Sequence, residues 1–213
     1  MAKLKQGIFG PISGKLGNLV GSTWLGIPYL KKRPIKVKNP KRSPAQLANN
    51  QKFVYVNAWL IPFHDYLIVG FNSLAIGKTA VAAAFSAVYK TVFTGLMPEL
   101  EIDYSKMQIS SGSLRGLGNV SVTYVEDHLI NIQWEDNSGP STHFNDQVMV
   151  AFYNEELMMT DGFIGNVNRT EKKYLFALEP VLIGKPLHVY IAVTSYNRKK
   201  ASDTTYLGLI QPL

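Results

Sequence analysis

The sequence contains no cysteine, and this absence excludes several classes of protein. Disulfide scaffolds, thiolate metal sites and cysteine nucleophiles all require that residue. The four histidines lie far apart, without the spacing of metal ligands. No apolar run is long enough for a transmembrane helix, and the start lacks the apolar segment of a secretory signal. We therefore expect a cytoplasmic or virion protein that needs no cofactor.

Acidic residues are absent from the first 64 positions, where Lys and Arg together occur eleven times. From Asp65 onward the chain has eleven basic and fifteen acidic residues, a net charge of about −4. A cationic N-terminal arm is thus joined to a mildly acidic body. The length of 213 residues and the apolar fraction of 46% are sufficient for a folded core.

The arm is predicted to be a β-hairpin followed by an extended basic strap. Two β-prone runs, 18–24 and 28–33, flank a turn centred on Gly26. Pro34 and Pro40 favour an extended strap, because a residue before proline avoids the helical region. The candidate interaction residues are two aromatics and the clustered basic side chains: Trp24, Tyr29, Lys31, Lys32, Arg33, Lys36, Lys38, Lys41 and Arg42.

The basic cluster admits three interpretations. Its cations and aromatics suit the phosphates and bases of nucleic acid. Lysines on an exposed edge strand also discourage edge-to-edge aggregation, without any partner. In the third interpretation the arm docks electrostatically on the acidic body of another copy. A charge cluster alone does not decide among them.

The segment after the arm is predicted to be helical. Ser43 and Pro44 are typical of a helix start, and Pro62 should end the first helix. The alanine-rich run near the end of this segment favours another helix. The predicted helices cover 43–60, 63–71 and 78–94. The many apolar side chains between 53 and 93 must cover a sheet of the same chain, or one another between subunits.

From Leu100 onward, short alternating runs separated by turn residues predict an antiparallel β-sandwich. The predicted strands are 101–104, 108–113, 119–125, 129–135, 147–153, 157–160, 173–178, 187–195 and 204–211. Trp134, Phe152 and Tyr190 are the expected core aromatics. The fold class is therefore α+β, with an arm (1–42), a helical segment (43–98) and a sandwich (99–213).

Two resemblances accompany these patterns. The segments GKLGNLVGSTWLGIPYLKKRP, SPAQLANNQKF, GKTAVAAAFSAV and EIDYSKMQISSGSL resemble a family of small Bacteroidota proteins known only as a domain of unknown function. That resemblance runs nearly end to end and implies no activity or functional residues. Residues 117–211 resemble a fibronectin type III or immunoglobulin-like sandwich, through Trp134, Tyr190 and the closing TTYLG.

Motifs that would indicate catalysis are weak. His64 and Asp65 are the only adjacent histidine–carboxylate pair, and they follow Pro62 at a predicted helix break, where a surface role is expected. The acidic pairs at 126–127, 135–136 and 155–156 fall at predicted turns. The GLGN and GKT fragments lack the strand–loop–helix context of a phosphate loop. The sequence therefore predicts a non-enzymatic protein.

We hypothesise a structural protein that self-assembles with its own copies into a particle, tube or filament, such as a phage or phage-like virion. Residues 14–42 are predicted to make the main intermolecular contacts. The alternative is a cytoplasmic nucleic-acid-binding protein, with the basic residues of 31–42 on phosphates and Trp24 or Tyr29 stacked on bases. No membrane partner is expected.

Overall fold

The structure is a computed structural model that describes residues 3–4, 10–35 and 42–212, with side chains for all of these except 3–4. The chain divides into two compact units, residues 1–43 and residues 44–213. The first unit is a small sheet, and the second contains the helices and the sandwich.

The N-terminal unit is a four-stranded antiparallel sheet in the order β1-β2-β3-β4. Its strands are β1 (Lys3–Leu4), β2 (Ile12–Leu16), β3 (Leu19–Trp24) and β4 (Ile27–Lys32). The predicted hairpin is confirmed: Leu25 and Gly26 both have positive φ, 48° and 82°, as the tight turn between β3 and β4 requires. Residues 36–41 of the predicted strap lie outside the described residues.

The predicted helices are confirmed, with one correction. They are α1 (Pro44–Leu60), α2 (His64–Gly70) and α3 (Ala80–Thr91), with a 3₁₀ turn at Ile61–Phe63 after α1. Proline is tolerated at the start of α1, where its missing N–H has no intrahelical acceptor. The Thr79 hydroxyl caps α3 by accepting a hydrogen bond from the Ala82 amide at 3.1 Å. The prediction that this helix reaches Thr94 is wrong, because Phe93–Leu96 is strand β5, paired with β6 (Glu99–Ile102).

The remaining strands form an antiparallel immunoglobulin-like sandwich, as predicted. They are β7 (Gly118–Glu126), β8 (Leu129–Glu135), β9 (Gln147–Asn154), β10 (Met159–Asn168), β11 (Lys173–Ala177), β12 (Leu187–Thr194) and β13 (Thr205–Ile210). One sheet has the order β11-β8-β7, and the other has the order β10-β9-β12-β13. The α+β fold class is therefore correct.

Two strand predictions are wrong. The segment 108–113 is not a strand, because Ser110 bonds to side-chain and loop partners: its amide donates to the Thr204 hydroxyl (2.9 Å), and its hydroxyl donates to the Ser202 carbonyl (2.8 Å). The run 157–160 is a turn followed by the start of β10, which continues to Asn168 through two glycines of positive φ. Those glycines give the sequence the appearance of a turn.

The core has two layers that share the central strands β9 and β12. Val148, Val150 and Phe152 of β9 pack in the core between the two sheets. Met149 and Tyr153 of the same strand pack in a second core, under the helices. All eight residues of β12 are buried, so this strand is also covered on both faces. The apolar residues of the helical segment therefore cover a sheet of their own chain, one of the two arrangements expected from the sequence.

The expected core aromatics are confirmed, although they divide between the two layers. Trp134 and Phe152 lie between the sheets, whereas Tyr190 lies under the helices. The Tyr190 hydroxyl donates a hydrogen bond to the Tyr104 carbonyl at 2.9 Å. A buried tyrosine needs such a partner, because an unpaired hydroxyl in an apolar core is costly.

Candidate interaction site on the N-terminal sheet

The register of the N-terminal sheet gathers basic and aromatic side chains on one face. Val20 of β3 lies between Lys15 of β2 and Lys31 of β4 in the ladder. Directly opposite residues share a face, so both lysines lie on the same side of the sheet. Tyr29 is two residues before Lys31 in β4 and occupies that side as well. Trp24 is four residues after Val20 in β3, so the same alternation places it on that side of the sheet too.

Arg33 extends this face by one step beyond β4. Its amide donates a hydrogen bond to the Asn18 carbonyl at 2.7 Å, which continues the β3–β4 ladder past Lys32. Arg33 therefore follows Lys31 at the two-residue spacing of one strand face. We call the face formed by Lys15, Trp24, Tyr29, Lys31 and Arg33 the cationic face.

The cationic face is positively charged, and its unit has no carboxylate to neutralise that charge. Residues 1–43 contain ten Lys and Arg and no Asp or Glu. The Lys31 Nζ atom lies 5.7 Å from the centre of the Tyr29 ring, within cation–π range. A hydrogen bond with Ser22 and, second, the positive charge of Lys31 lower the pKa of Tyr29. A concavity of about 950 Å³ is lined by Lys15, Lys31 and Arg33 and also by Lys32.

The predicted site residues do not all join this face. Trp24, Tyr29, Lys31 and Arg33 lie on it, whereas Lys32 belongs to the opposite face, across from Leu19. Arg42 is exposed just before α1. Lys36, Lys38 and Lys41 lie outside the described residues. The sequence analysis missed Lys15, whose position follows from the two-residue turn between β2 and β3.

The opposite face of the sheet is apolar and exposed. Leu16 and Leu19 are paired across β2 and β3, and Leu30 is opposite Gly21. These leucines are 52%, 42% and 53% exposed, respectively. Gly21 is the only buried residue among the described positions of this unit, so those positions bury no large apolar side chain. We call the surface formed by Leu16, Leu19 and Leu30 the leucine face.

The second unit presents an apolar stripe on α1. Leu47, Val54 and Ile61 follow one another at seven-residue intervals and are 47%, 66% and 61% exposed. Seven residues are close to two helical turns, so Leu47 and Val54 lie on one side of α1, and Ile61 continues the spacing into the 3₁₀ turn. The buried side of α1 is formed by other residues, including Val56 and Trp59. We call Leu47, Val54 and Ile61 the α1 stripe.

Acidic side chains lie near α1. Lys52 is buried and donates hydrogen bonds to the carbonyls of Phe93 (2.8 Å) and Gly95 (3.2 Å), which fasten β5 to α1. Glu99 and Glu101 are exposed on β6, the partner strand of β5. Lys52, the one cation of α1, is therefore hydrogen-bonded within its own chain, whereas the two carboxylates of the β5–β6 hairpin are exposed.

The residues considered for catalysis do not converge on a site. His64 and Asp65 lie in the first turn of α2, and the Asp65 side chain is exposed. Glu126 and Asp127 are exposed at the end of β7, and Glu155 and Glu156 are exposed after β9. In the described part of the chain, no three His, Asp or Glu side chains are grouped so as to hold a metal ion.

Arg169 is the centre of a buried polar cluster that sequence reasoning missed. Its guanidinium is fully buried and forms ion pairs with Asp136 (3.1 Å) and Asp146 (3.3 Å). The Asn137 carbonyl accepts a further hydrogen bond at 3.1 Å. The Trp134 indole donates to the Arg169 carbonyl at 2.7 Å. The cluster fixes the loops at one end of the sandwich, and we assign it a structural role.

His188 lies in an aromatic cluster at the edge of the helical core. Its Nδ1 atom is 2.8 Å from the Tyr206 hydroxyl, and its ring stacks on Tyr104 with the ring centres 4.2 Å apart. Burial lowers the pKa of His188, and the nearby Glu155 carboxylate opposes that shift only in part. The neutral imidazole is therefore the form that the folded chain favours.

We expect this histidine to make stability depend on pH. The unfolded chain binds a proton at His188 more readily than the folded chain, so the free energy of unfolding falls as the pH drops below the ordinary histidine pKa of 6.5. Urea unfolding near pH 7.5 and near pH 5.5 will measure the loss. His188→Gln will reduce this difference, because the variant has no imidazole to titrate at this buried position. An unchanged difference in His188→Gln would contradict the assignment.

No helix in the described part of the chain is long and apolar enough to span a membrane. Among solved structures, one described as a myokine structure matches with 16% identity and a TM-score of 0.37, covering 47% of this chain and 98% of that chain. The fn3 domain of human collagen alpha-1(XX) matches with 12% identity and a TM-score of 0.35, covering 48% of this chain and 90% of that chain. Chicken CNTN1 FN1–FN3 domains match with 10% identity and a TM-score of 0.33, covering 47% and 32%, respectively.

No curated protein matches the chain by sequence. A family profile matches residues 11–208, which include β2–β4 of the N-terminal sheet, the helices and the sandwich except the end of β13. The chain therefore belongs to the family of unknown function DUF6266.

Proposed function

We propose that this protein is a non-enzymatic structural protein that assembles with its own copies into a particle, tube or filament. A phage or phage-like virion is one example of such an assembly, and the protein would be found in the cytoplasm or the virion. One observation carries the proposal: within residues 10–35 the N-terminal sheet exposes the leucine face and buries only Gly21. A small sheet gains stability when an apolar face is covered, so contact with a partner would stabilise this sheet.

The proposed partner surface is the α1 stripe of another copy. Both surfaces are aliphatic, and each large aliphatic side chain that becomes fully buried contributes about 1.5–3 kcal/mol. Charge supports the pairing: residues 1–43 carry a net charge of +10, whereas residues 44–213, with twelve basic and fifteen acidic residues, carry −3. Lys32 lies beside the leucines, and Glu99 and Glu101 lie near α1.

The two proposed surfaces differ, so copies can join head-to-tail, with the leucine face of one on the α1 stripe of the next. A heterologous contact of this kind leaves one free surface of each type after every addition. It forms a ring when the rotation closes and a helical filament or tube when it does not. A two-fold dimer, in which each leucine face covers the partner's α1 stripe, would also cover both surfaces, and the measured mass distinguishes it from a larger assembly.

Light scattering of the purified full-length chain tests the proposal. We expect a mass many times that of the 23.7 kDa monomer. The triple variant Leu16→Ser, Leu19→Ser, Leu30→Ser will shift the mass to the monomer, because it removes the apolar side chains of one surface. Val54→Ser with Ile61→Ser will do the same from the other surface.

The matched control is Ile76→Ser with Phe144→Ser, at positions 85% and 78% exposed and outside both surfaces. This variant will assemble like the original chain. An original chain that stays monomeric across salt and protein concentration would contradict the self-assembly proposal. Assembly that persists in both serine variants would show that other surfaces are used.

A further inference from the structure

We propose that the cationic face of the N-terminal sheet binds single-stranded nucleic acid. This inference goes beyond the assembly function, because it concerns the opposite side of the sheet from the leucine face. It rests on the cations and aromatics that the ladder places together, and it does not require that copies assemble.

Three cationic side chains lie close together on one face of the sheet. Neighbouring strands lie about 4.8 Å apart, so Lys15 and Lys31, on either side of Val20, have backbones about 10 Å apart. Arg33 follows Lys31 after two residues, about 7 Å along the strand. All three side chains are exposed, and their unit contains no carboxylate to neutralise them. Such a cluster is suited to consecutive phosphates, whose condensed counterions are released on binding.

The aromatic side chains lie beside these cations. Tyr29 adjoins Lys31 on the cationic face, and Trp24 lies beyond it, beside the hairpin turn. These two residues are 39% and 54% exposed, so both rings are accessible to a ligand. Exposed rings next to a cationic strip allow bases to stack while the phosphates contact the cations.

These aromatics favour a single strand over other polyanions. Stacking on Tyr29 or Trp24 needs an unpaired base, which a duplex does not offer along its length. An acidic protein would be held by the cations alone and would gain no base stacking. An anionic membrane would be expected to engage large exposed aliphatic side chains, of which the leucine face has three and the cationic face has Ile27, opposite Trp24. The arrangement of both residue types on one face therefore points to single-stranded DNA or RNA.

Fluorescence anisotropy with a labelled oligo-dT of about 20 nucleotides and the full-length chain tests the inference. We expect binding that weakens steeply between about 50 and 200 mM salt. The variant Lys15→Gln, Lys31→Gln, Arg33→Gln will reduce the slope of log K against log salt by about 2, since each phosphate contact contributes roughly 0.7 for a single strand. The charge-matched control Lys173→Gln, Lys199→Gln, Lys200→Gln, at exposed positions of the second unit, will keep most of the slope.

A second pair of variants separates stacking from charge. Tyr29→Leu and Trp24→Leu will each weaken oligo-dT binding by about fivefold to 150-fold, with little change in the salt slope. Neither will weaken binding of heparin, which has sulfates but no bases. If both variants bind oligo-dT as tightly as the original chain, the face is a general polyanion surface and the inference is overturned. The same holds if the glutamine variant keeps the full salt slope.

Light scattering of these variants distinguishes this inference from the assembly proposal. The glutamine variant will keep its assembled mass, because the leucine face is intact. A glutamine variant that disassembles and still binds oligo-dT would assign the cations to contacts between copies and overturn the inference. Binding of oligo-dT by a monomeric chain would support the inference and contradict the assembly proposal.

Discussion

Replacement of Arg169 by methionine will lower the free energy of unfolding by about 3–5 kcal/mol, the typical cost of breaking a buried ion pair from one side. Arg169 is fully buried, and Asp146 is 1% exposed. Without the guanidinium, Asp146 retains only the His143 amide, which donates to its Oδ2 atom at 2.8 Å. The hydrogen bond to the Asn137 carbonyl is lost as well.

Urea unfolding followed by tryptophan fluorescence will measure this effect, because Trp134 contacts the same cluster. The matched control is Arg198→Met, where the arginine is exposed and its guanidinium donates one long hydrogen bond, to the Ile164 carbonyl at 3.4 Å. Its expected cost is within about 0.5 kcal/mol. A loss below about 1 kcal/mol in Arg169→Met would show that the carboxylates find solvent or other partners.

A second large effect is expected for Phe63→Ala, at the contact between the helical layer and the sheet. Phe63 is fully buried, with its ring centre 5.1 Å from that of Trp59 and 4.8 Å from that of Tyr153. Truncation removes these contacts and leaves a cavity, which typically costs about 3–5 kcal/mol. Thermal or urea unfolding of the purified variant will measure the loss.

The control for this substitution is Phe144→Ala, because Phe144 is 78% exposed. We expect its stability to change by no more than about 0.5 kcal/mol. If Phe63→Ala were equally mild, the helices would contribute little to the stability of the sheet beneath them. In that case the second apolar core would be far looser than its burial indicates.

Much of the second unit follows from sequence periodicity. The run 129–135 coincides with β8, because alternation and turn residues bound it on both sides. The segment 108–113 shows the limit of that method. It has β-prone residues, but its polar groups are satisfied by Thr204 and Ser202, more than 90 residues away. Contacts at such separation are not visible in local patterns.

The candidate site shows a similar limit. The cluster of basic residues was evident, since no acidic residue interrupts it. The basic residues divide between two faces according to the β2–β3 and β3–β4 registers. These registers place Lys15 with Lys31 and place Lys32 on the leucine face. A shift of one residue in either register would exchange the faces.

The Arg169 cluster could not have been found from the sequence. Arg169 stands among polar residues that resemble an exposed turn, and its ion-pair partners Asp136 and Asp146 are 33 and 23 positions away. Charged residues are mostly exposed, so sequence reasoning assigns all three to the surface. Only the fold brings them together in a buried position.

The two-sided burial of β9 and β12 means that the sandwich is not a portable module. In many antiparallel sandwiches the outer strand faces are polar, so the domain can be excised, fused or repeated in tandem. Here the outer face carries Met149, Ala151, Tyr153 and Tyr190, which the helices cover. A gene fusion or truncation that kept the sandwich alone would place an apolar sheet in water. The helices and the sandwich must therefore be inherited, moved and engineered as one piece.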